Sequence, residues 1–197
     1  HPEYPFLMEK RTQEILDANL SKRYDWDELC HNVKRHGMNN SLLVALMPTA
    51  SSAQIRYKTE AFEPVFSNLY LRSVLSGTHI VINRHMVERF RDIGLWNDSI
   101  VNFIIKNNGS IQDLPETIAP GKEDTLREIK RMAKTSFELP QKTLMDLSID
   151  RSFYVCQSQS LNIFMETPNP TRVLNMHTYG WKNALSTGMY YLRMKPA

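Results

Sequence analysis

Small, hydroxyl-bearing residues follow a proline at residues 48–52, where the sequence is Pro-Thr-Ala-Ser-Ser. A nearly unbroken apolar run precedes them at residues 41–47, and a helix is predicted after the proline. Free backbone N–H groups at a helix N-terminus, flanked by hydroxyl donors, can bind phosphate, and small side chains let the anion approach the backbone. An ordinary serine or threonine helix cap gives the same pattern. The residues alone therefore leave a phosphate site and a plain cap as alternatives.

Two adjacent tyrosines, Tyr190 and Tyr191, form a second group with chemical potential. Tyrosine is common in strands and most buried pairs only pack, so the pair by itself indicates no activity. Cys30 and Cys156 form neither a disulfide framework nor a zinc-ligand spacing, and we interpret both as core thiols. The six histidines show no metal-ligand spacing, and His177 is predicted to be a packed histidine on a helix face.

Helices and strands are predicted to alternate along the chain. Asp25, with Glu28 three residues later, predicts a helix start, and Gly37 predicts its end. Further helices are predicted at 84–93, 97–107, 125–138 (with a capping box at Thr125), from Pro140 to about 150, and from Asn169 to Gly188. The run at 41–47 predicts a strand buried on both faces, and other strands are predicted at 66–74, 80–82, 154–165 and the tyrosine pair. Strands separated by helices indicate an α/β fold.

The length and composition of the chain limit the classes of protein to which it can belong. A chain of 197 residues with 42% hydrophobic and 23% charged residues is typical of one globular domain. The net charge of +3 is spread along the chain, which argues against nucleic-acid and membrane partners. No apolar run is long enough for a transmembrane helix, no signal pattern opens the chain, and two cysteines fit a reducing cytoplasm. The first residue is not methionine, so we expect a chain cut from something longer.

A series of motifs occurs in order between residues 24 and 195. They are Trp-Asp-Glu-Leu from residue 26, Gly-Met-Asn-Asn from 37, Ala-Leu-Met-Pro-Thr-Ala-Ser-Ser-Ala-Gln from 45, Glu-Pro from 63, Val-Leu-Ser-Gly from 74, Gly-Leu-Trp-Asn from 94, Asn-Gly-Ser-Ile-Gln from 108, Gln-Ser-Gln-Ser-Leu-Asn-Ile from 157, Tyr-Gly-Trp-Lys from 179 and Thr-Gly-Met-Tyr-Tyr from 187. The series resembles the large, catalytic subunit of class I ribonucleotide reductase, in the branch of eukaryotes and large DNA viruses.

This resemblance implies a fold and a site. The fold is the C-terminal portion of the family's ten-stranded α/β barrel, comprising residues 24–197, with residues 1–23 as a poorly matched N-terminal segment. The parent enzyme reduces ribonucleoside diphosphates to deoxyribonucleotides. The resemblance assigns the substrate phosphates to Thr49, Ala50, Ser51 and Ser52, and radical transfer to Tyr190 and Tyr191.

The resemblance also implies partners. A small subunit carries a radical-bearing metal cofactor, and no cofactor is expected in this chain. The oxidising equivalent crosses the subunit interface to Tyr191, passes to Tyr190, and reaches an active-site cysteine that abstracts hydrogen from the ribose. The complete large subunit is expected to be a homodimer that thioredoxin or glutaredoxin reduces.

Paired phenols suit such a transfer. The pKa of a phenol is about 10, so an electron leaves together with a proton. Neighbouring residues on a regular strand point to opposite faces, however. A relay through Tyr190 and Tyr191 therefore requires a distorted strand end, which the nearby Gly188 would favour, and it predicts that the two rings lie close together.

The chain departs from the family's pattern at the centre of the chemistry. It has no Asn-x-Cys-x-Glu motif, and the cysteine pair that reduces the substrate is absent. Cys156 also stands where family members usually have aspartate. We therefore expect a large-subunit fragment that cannot reduce nucleotides by itself. One alternative is a non-catalytic homologue that acts as an interaction scaffold, and another is a generic nucleotide-binding domain, which predicts diphosphate binding by the isolated chain.

Overall fold

The computed structural model describes residues 24–152, 154–183, 185 and 187–195, and over these residues the chain is mixed helix and strand. The helices are α1 (Trp26–His36), α2 (Ala50–Ile55), α3 (Arg84–Asp92), α4 (Asp98–Lys106), α5 (Glu123–Met132), α6 (Gln141–Ser152) and α7 (Pro170–Lys182), with a short 3₁₀ helix at Glu116–Ile118. The strands are β1 (Leu69–Val74), β2 (Gly77–Ile82), β3 (Asn162–Phe164) and β4 (Tyr191–Arg193). None of the helices described is long and apolar enough to cross a membrane.

Local capping determines where several helices begin. The Asp25 side chain accepts the N–H of Glu28 at 2.8 Å at the start of α1, as predicted. Asn97 and Asn169 make equivalent bonds at the starts of α4 and α7, at 3.1 and 2.9 Å. Each bond satisfies an N–H group that has no partner inside the helix. These signals are encoded within a few residues, which is why the sequence predicted them correctly.

Three helix boundaries differ from the prediction, and the first is the end of α5, which lies at Met132 instead of residue 138. Helix α5 begins before Thr125 with Lys122 at the N-cap and no side-chain cap bond, so the predicted capping box is wrong. Helix α7 ends at Lys182, well before the glycine that was predicted to end it. The chain turns there because the N–H of Leu185 donates to the Gly180 carbonyl at 3.0 Å, which satisfies an orphan carbonyl of the last turn.

Strands β1 and β2 form an antiparallel hairpin. Leu69 lies opposite Ile82, and Val74 lies opposite Gly77 at the turn. Gly77 has φ of 128°, a conformation that glycine adopts without steric cost. The strands predicted at 66–74 and 80–82 are thus confirmed in part, with shifted ends. Strands β3 and β4 form the other two-stranded sheet among the described residues.

The apolar run at residues 41–47 does not form the predicted buried strand. Leu46 makes one isolated parallel bridge with Gln159, and the side chain of Met47 is 70% exposed. The strand predicted at 154–165 is also wrong except at β3. A strand buried on both faces needs neighbours along its edges and over its faces, and one bridge between these two segments does not supply them.

The chain divides into two compact units. One comprises residues 24–47, Lys142–Ile163 and Thr167–Leu192, and the other comprises Pro48–Gln141, Phe164–Glu166 and 193–195. The second unit holds a core cluster of twelve buried side chains: Met86, Val87, Phe90, Ile93, Ile100, Ile104, Ile111, Leu114, Ala119, Leu126, Ile129 and Ala133. Leu126 and Ile129 belong to α5, and Ala133 follows its last residue. The first unit buries a smaller set, which includes Leu144, Met145, Ile149, Leu161 and Met176.

A buried asparagine joins several elements of the second unit. Asn68 is fully buried, and its Nδ2 donates to the carbonyls of Gly109 and Ala133 at 2.9 and 2.8 Å. Its Oδ1 accepts a hydrogen bond from Asn83 Nδ2 at 2.8 Å. Every polar atom of the amide therefore has a partner, and the side chain links the hairpin to the starts and ends of the neighbouring helices.

Candidate functional site: the tyrosine pair and the hydroxyl segment

Tyr190 and Tyr191 bring two phenol rings together where β4 begins. The ring centroids lie 4.2 Å apart and the ring planes are inclined at 57°. Tyr190 lies in a bend just before the strand, and its N–H donates to the Leu161 carbonyl at 2.6 Å. This bend breaks the alternation that sends neighbouring strand side chains to opposite faces. The prediction that the rings lie close together is confirmed.

Both rings of the pair are accessible. Tyr190 and Tyr191 are 51% and 48% exposed. A partner that approaches from solvent can therefore reach the pair.

Small residues allow the segment before the pair to lie close to α7. A Cβ atom at Gly188 would lie 2.6 Å from Nδ1 of His177, which is closer than real Cβ contacts. The His177 ring thus occupies the space above the glycine backbone. His177 is exposed, so the predicted packed histidine packs at the surface, against Gly188.

A polar cluster that the sequence did not predict joins α6 to α7. The Tyr179 hydroxyl donates to Asp146 Oδ1 at 2.6 Å, and Lys142 Nζ donates to Asp146 Oδ2 at 2.7 Å. Lys142 Nζ also lies 4.8 Å from the centroid of the Tyr179 ring. The hydrogen bond to Asp146 raises the pKa of Lys142 above the ordinary lysine value. The partners come from two helices far apart in sequence, so only the lysine–aspartate spacing on α6 gives a local signal.

The hydroxyl segment forms the start of α2. Thr49 is the N-cap residue, but its side chain does not cap the helix. Its N–H and Oγ1 both donate to the Glu60 carbonyl, at 2.9 and 3.3 Å. Ser51 and Ser52 are exposed in the first turn, whereas Ala53 is buried. A plain threonine cap is therefore not what the structure shows, and the first turn of α2 presents its small residues on the surface.

Both cysteines are exposed, so the interpretation as core thiols is wrong. Cys156 Sγ accepts the N–H of Leu43 at 3.4 Å. Hydrogen bonds from the backbone N–H groups of Leu43 and then Val44 lower the pKa of the Cys156 thiol, because they stabilise the thiolate. Among the described residues no group of three or more metal-binding side chains occurs.

Comparison with known proteins identifies the chain's family. The family model for the ribonucleotide reductase barrel domain matches residues 3–191. The chain belongs to the ribonucleotide reductase large-subunit family. The ribonucleoside-diphosphate reductase large chain of Cryptosporidium parvum is 47% identical over 176 residues, which cover 88% of this chain and 20% of that protein. The large subunit of vaccinia virus (strain Copenhagen) is 45% identical over 179 residues, which cover 90% of this chain and 22% of that protein.

A solved reductase structure supports the same fold. The alpha subunit of the class Id ribonucleotide reductase of Actinobacillus ureae superposes with a TM-score of 0.65 at 26% identity, and the match covers 83% of this chain and 28% of that one. The predicted resemblance and the predicted fold, part of the reductase α/β barrel, are thus confirmed. The chain spans about a fifth of the length of the curated reductase relatives it matches. The proposed division at residue 23 stays a prediction.

Proposed function

We propose that this chain supplies part of the catalytic barrel of a ribonucleoside-diphosphate reductase large subunit, and contributes both a substrate-phosphate loop and a radical-transfer tyrosine pair. The observation that carries the proposal is the family match over residues 3–191, which includes the hydroxyl segment and extends to Tyr191. The close contact of the two rings supports the second part. The relatives that match are named as reductase large chains, and no observation favours the scaffold alternative.

In the proposed transfer, each step moves one electron and one proton. Tyr191 would give a hydrogen atom to the radical of the small subunit and regain one from Tyr190, and Tyr190 would take one from an active-site cysteine. That cysteine must come from outside these residues, since no Asn-x-Cys-x-Glu motif occurs in the chain. The half-exposed pair suits a route that begins at a partner subunit in the cytoplasm. Thioredoxin or glutaredoxin would reduce the complete enzyme after each turnover.

For the phosphate loop, we assign the direct contacts with the substrate diphosphate mainly to Ala50, Ser51 and Ser52. The first N–H groups of a helix lack intrahelical partners, and the two serine hydroxyls lie beside them on the surface. Both polar hydrogens of Thr49 are directed at Glu60, so Thr49 holds the loop in place as well as belonging to the site.

Kinetics of the complete large subunit, reconstituted with its small subunit, test both parts. Tyr190→Phe keeps the packing and removes the phenol, so we expect turnover to be abolished with the KM for the ribonucleoside diphosphate unchanged. Ser51→Ala removes a hydrogen bond to a charged group, about 1.5 kcal/mol, and is expected to raise KM about tenfold. Tyr154→Phe, at a 59% exposed tyrosine outside the site, is the matched control and should match the wild type. Full turnover by Tyr190→Phe would refute the relay.

A further inference from the structure

The segment that leads into the tyrosine pair is fastened to α7 at two positions close together on that helix. The Gly180 carbonyl accepts the Leu185 N–H at 3.0 Å, and the Leu185 side chain lies 3.4 Å from the place of a Gly180 Cβ. Three residues earlier on α7, the His177 ring covers Gly188. Residues three apart on a helix are neighbours on its surface, so α7 offers one continuous strip to this segment.

At position 188 the space for a side chain is limited, whereas the φ angle does not call for glycine. The φ angle of Gly188 lies outside the left-handed region, which the described glycines at 37, 77, 94, 109 and 121 occupy. The φ angle at this position therefore does not require glycine. A Cβ at this position, however, would lie 2.6 Å from Nδ1 and 3.2 Å from Cε1 of His177. A side chain at position 188 would therefore require the His177 ring or the segment itself to move.

The contact lies directly upstream of the relay. Two residues after Gly188, the Tyr190 N–H is held at 2.6 Å from the Leu161 carbonyl, and the Tyr190 ring lies 4.2 Å from that of Tyr191. The backbone runs from Gly188 to the Tyr190 N–H, which the Leu161 carbonyl holds. Its course between these two points determines the position of the Tyr190 ring. A displacement at Gly188 is expected to reach the ring because only one residue separates the two.

We infer that His177 and Gly188 are positioning residues for radical transfer, in that their close contact sets the placement of Tyr190 against Tyr191. This inference rests on the relay proposed above. Neither residue exchanges an electron or a proton in the transfer. They act only by setting the distance between the Tyr190 and Tyr191 rings, and a misplacement of reacting groups by about 1 Å can lower a rate on the order of 100-fold.

The test compares three variants of the complete large subunit reconstituted with its small subunit. Gly188→Ala forces the ring and the segment apart, and we expect kcat to fall about 10- to 100-fold with the KM for the ribonucleoside diphosphate unchanged. His177→Ala combined with Gly188→Ala empties the space that the new Cβ needs, and should recover most of the lost turnover. Asn175→Ala, at an exposed position of α7, is the control and should match the wild type.

Rescue is the decisive measurement of the contact, because the double variant regains turnover only if the new Cβ and the His177 ring compete for the same space. The inference is overturned if Gly188→Ala retains wild-type kcat, or if the folded double variant is no faster than Gly188→Ala. Should Gly188→Ala fail to fold, turnover by the double variant still supports the contact, and its absence in a folded double variant still refutes it. Tyr190→Phe is measured in parallel. If Tyr190→Phe is inactive while Gly188→Ala is fully active, only the positioning role of His177 and Gly188 is overturned. If Tyr190→Phe is active, the relay is overturned, and the positioning role with it.

Discussion

At the scale of single residues, backbone hydrogen bonds determine how reactive side chains are placed and charged. The bond from the Tyr190 N–H to Leu161 fixes a bend that puts two adjacent rings on one side of the chain. Their closeness could be predicted only from the relay that the family resemblance implies, with Gly188 as the residue that would favour a distorted strand end. The reason for that glycine could not, since it is a ring on α7 that approaches only after folding.

Backbone hydrogen bonds also change the acidity of the Cys156 thiol. Because the Leu43 N–H lowers the pKa of its thiol, the alkylation rate of Cys156 should rise with pH through a midpoint below the ordinary thiol value of about 8.5. The lowered pKa means that this bond stabilises the fold above the unfolded pKa, and that its contribution is lost as the pH falls through the folded pKa. The rate of iodoacetamide modification at Cys156, followed by mass spectrometry, measures the midpoint. In urea the midpoint should return to the ordinary value, and identical midpoints in folded and unfolded protein would contradict the assignment.

At the scale of elements, local signals were predictable and pairing was not. The capping signals at Asp25, Asn97 and Asn169 each depend on residues only a few positions apart, and all three helices begin where these signals predict. The run at 41–47 has the composition of a buried parallel strand, yet its only described bridge joins Leu46 to Gln159. Strand pairing depends on partners more than a hundred residues away, and composition cannot show whether those partners are present.

Asn68 is the residue whose loss should most weaken the joints between elements. Asn68→Ala leaves the carbonyls of Gly109 and Ala133 and the amide of Asn83 without this partner, so we expect the free energy of unfolding to fall by about 2–4 kcal/mol. Urea denaturation of the chain measures this. Asn102→Ala, at an exposed position of α4, is the matched control and should change stability by less than about 0.5 kcal/mol. An equally small loss for Asn68→Ala would show that the network contributes little.

At the scale of the whole molecule, the chain corresponds to only part of the reductase large subunits that it matches. It spans about a fifth of its relatives, and its two candidate site segments belong to different compact units, the hydroxyl segment to one and the tyrosine pair to the other. The ordered motifs revealed the family, because they lie along nearly the whole chain. They could not reveal the polar cluster of Tyr179 with Asp146 and Lys142, whose geometry depends on how two helices pack.

We propose that an oxidising equivalent resides briefly on Tyr190 during turnover of the complete enzyme. Replacing Tyr190 with 3-aminotyrosine, which is oxidised more easily than tyrosine, should trap that equivalent when the complete large subunit is mixed with its small subunit and a ribonucleoside diphosphate. Electron paramagnetic resonance should then show a new aminotyrosyl signal that grows as the small subunit's radical signal declines. A small-subunit signal that stays constant, with no new radical at position 190, would contradict the account.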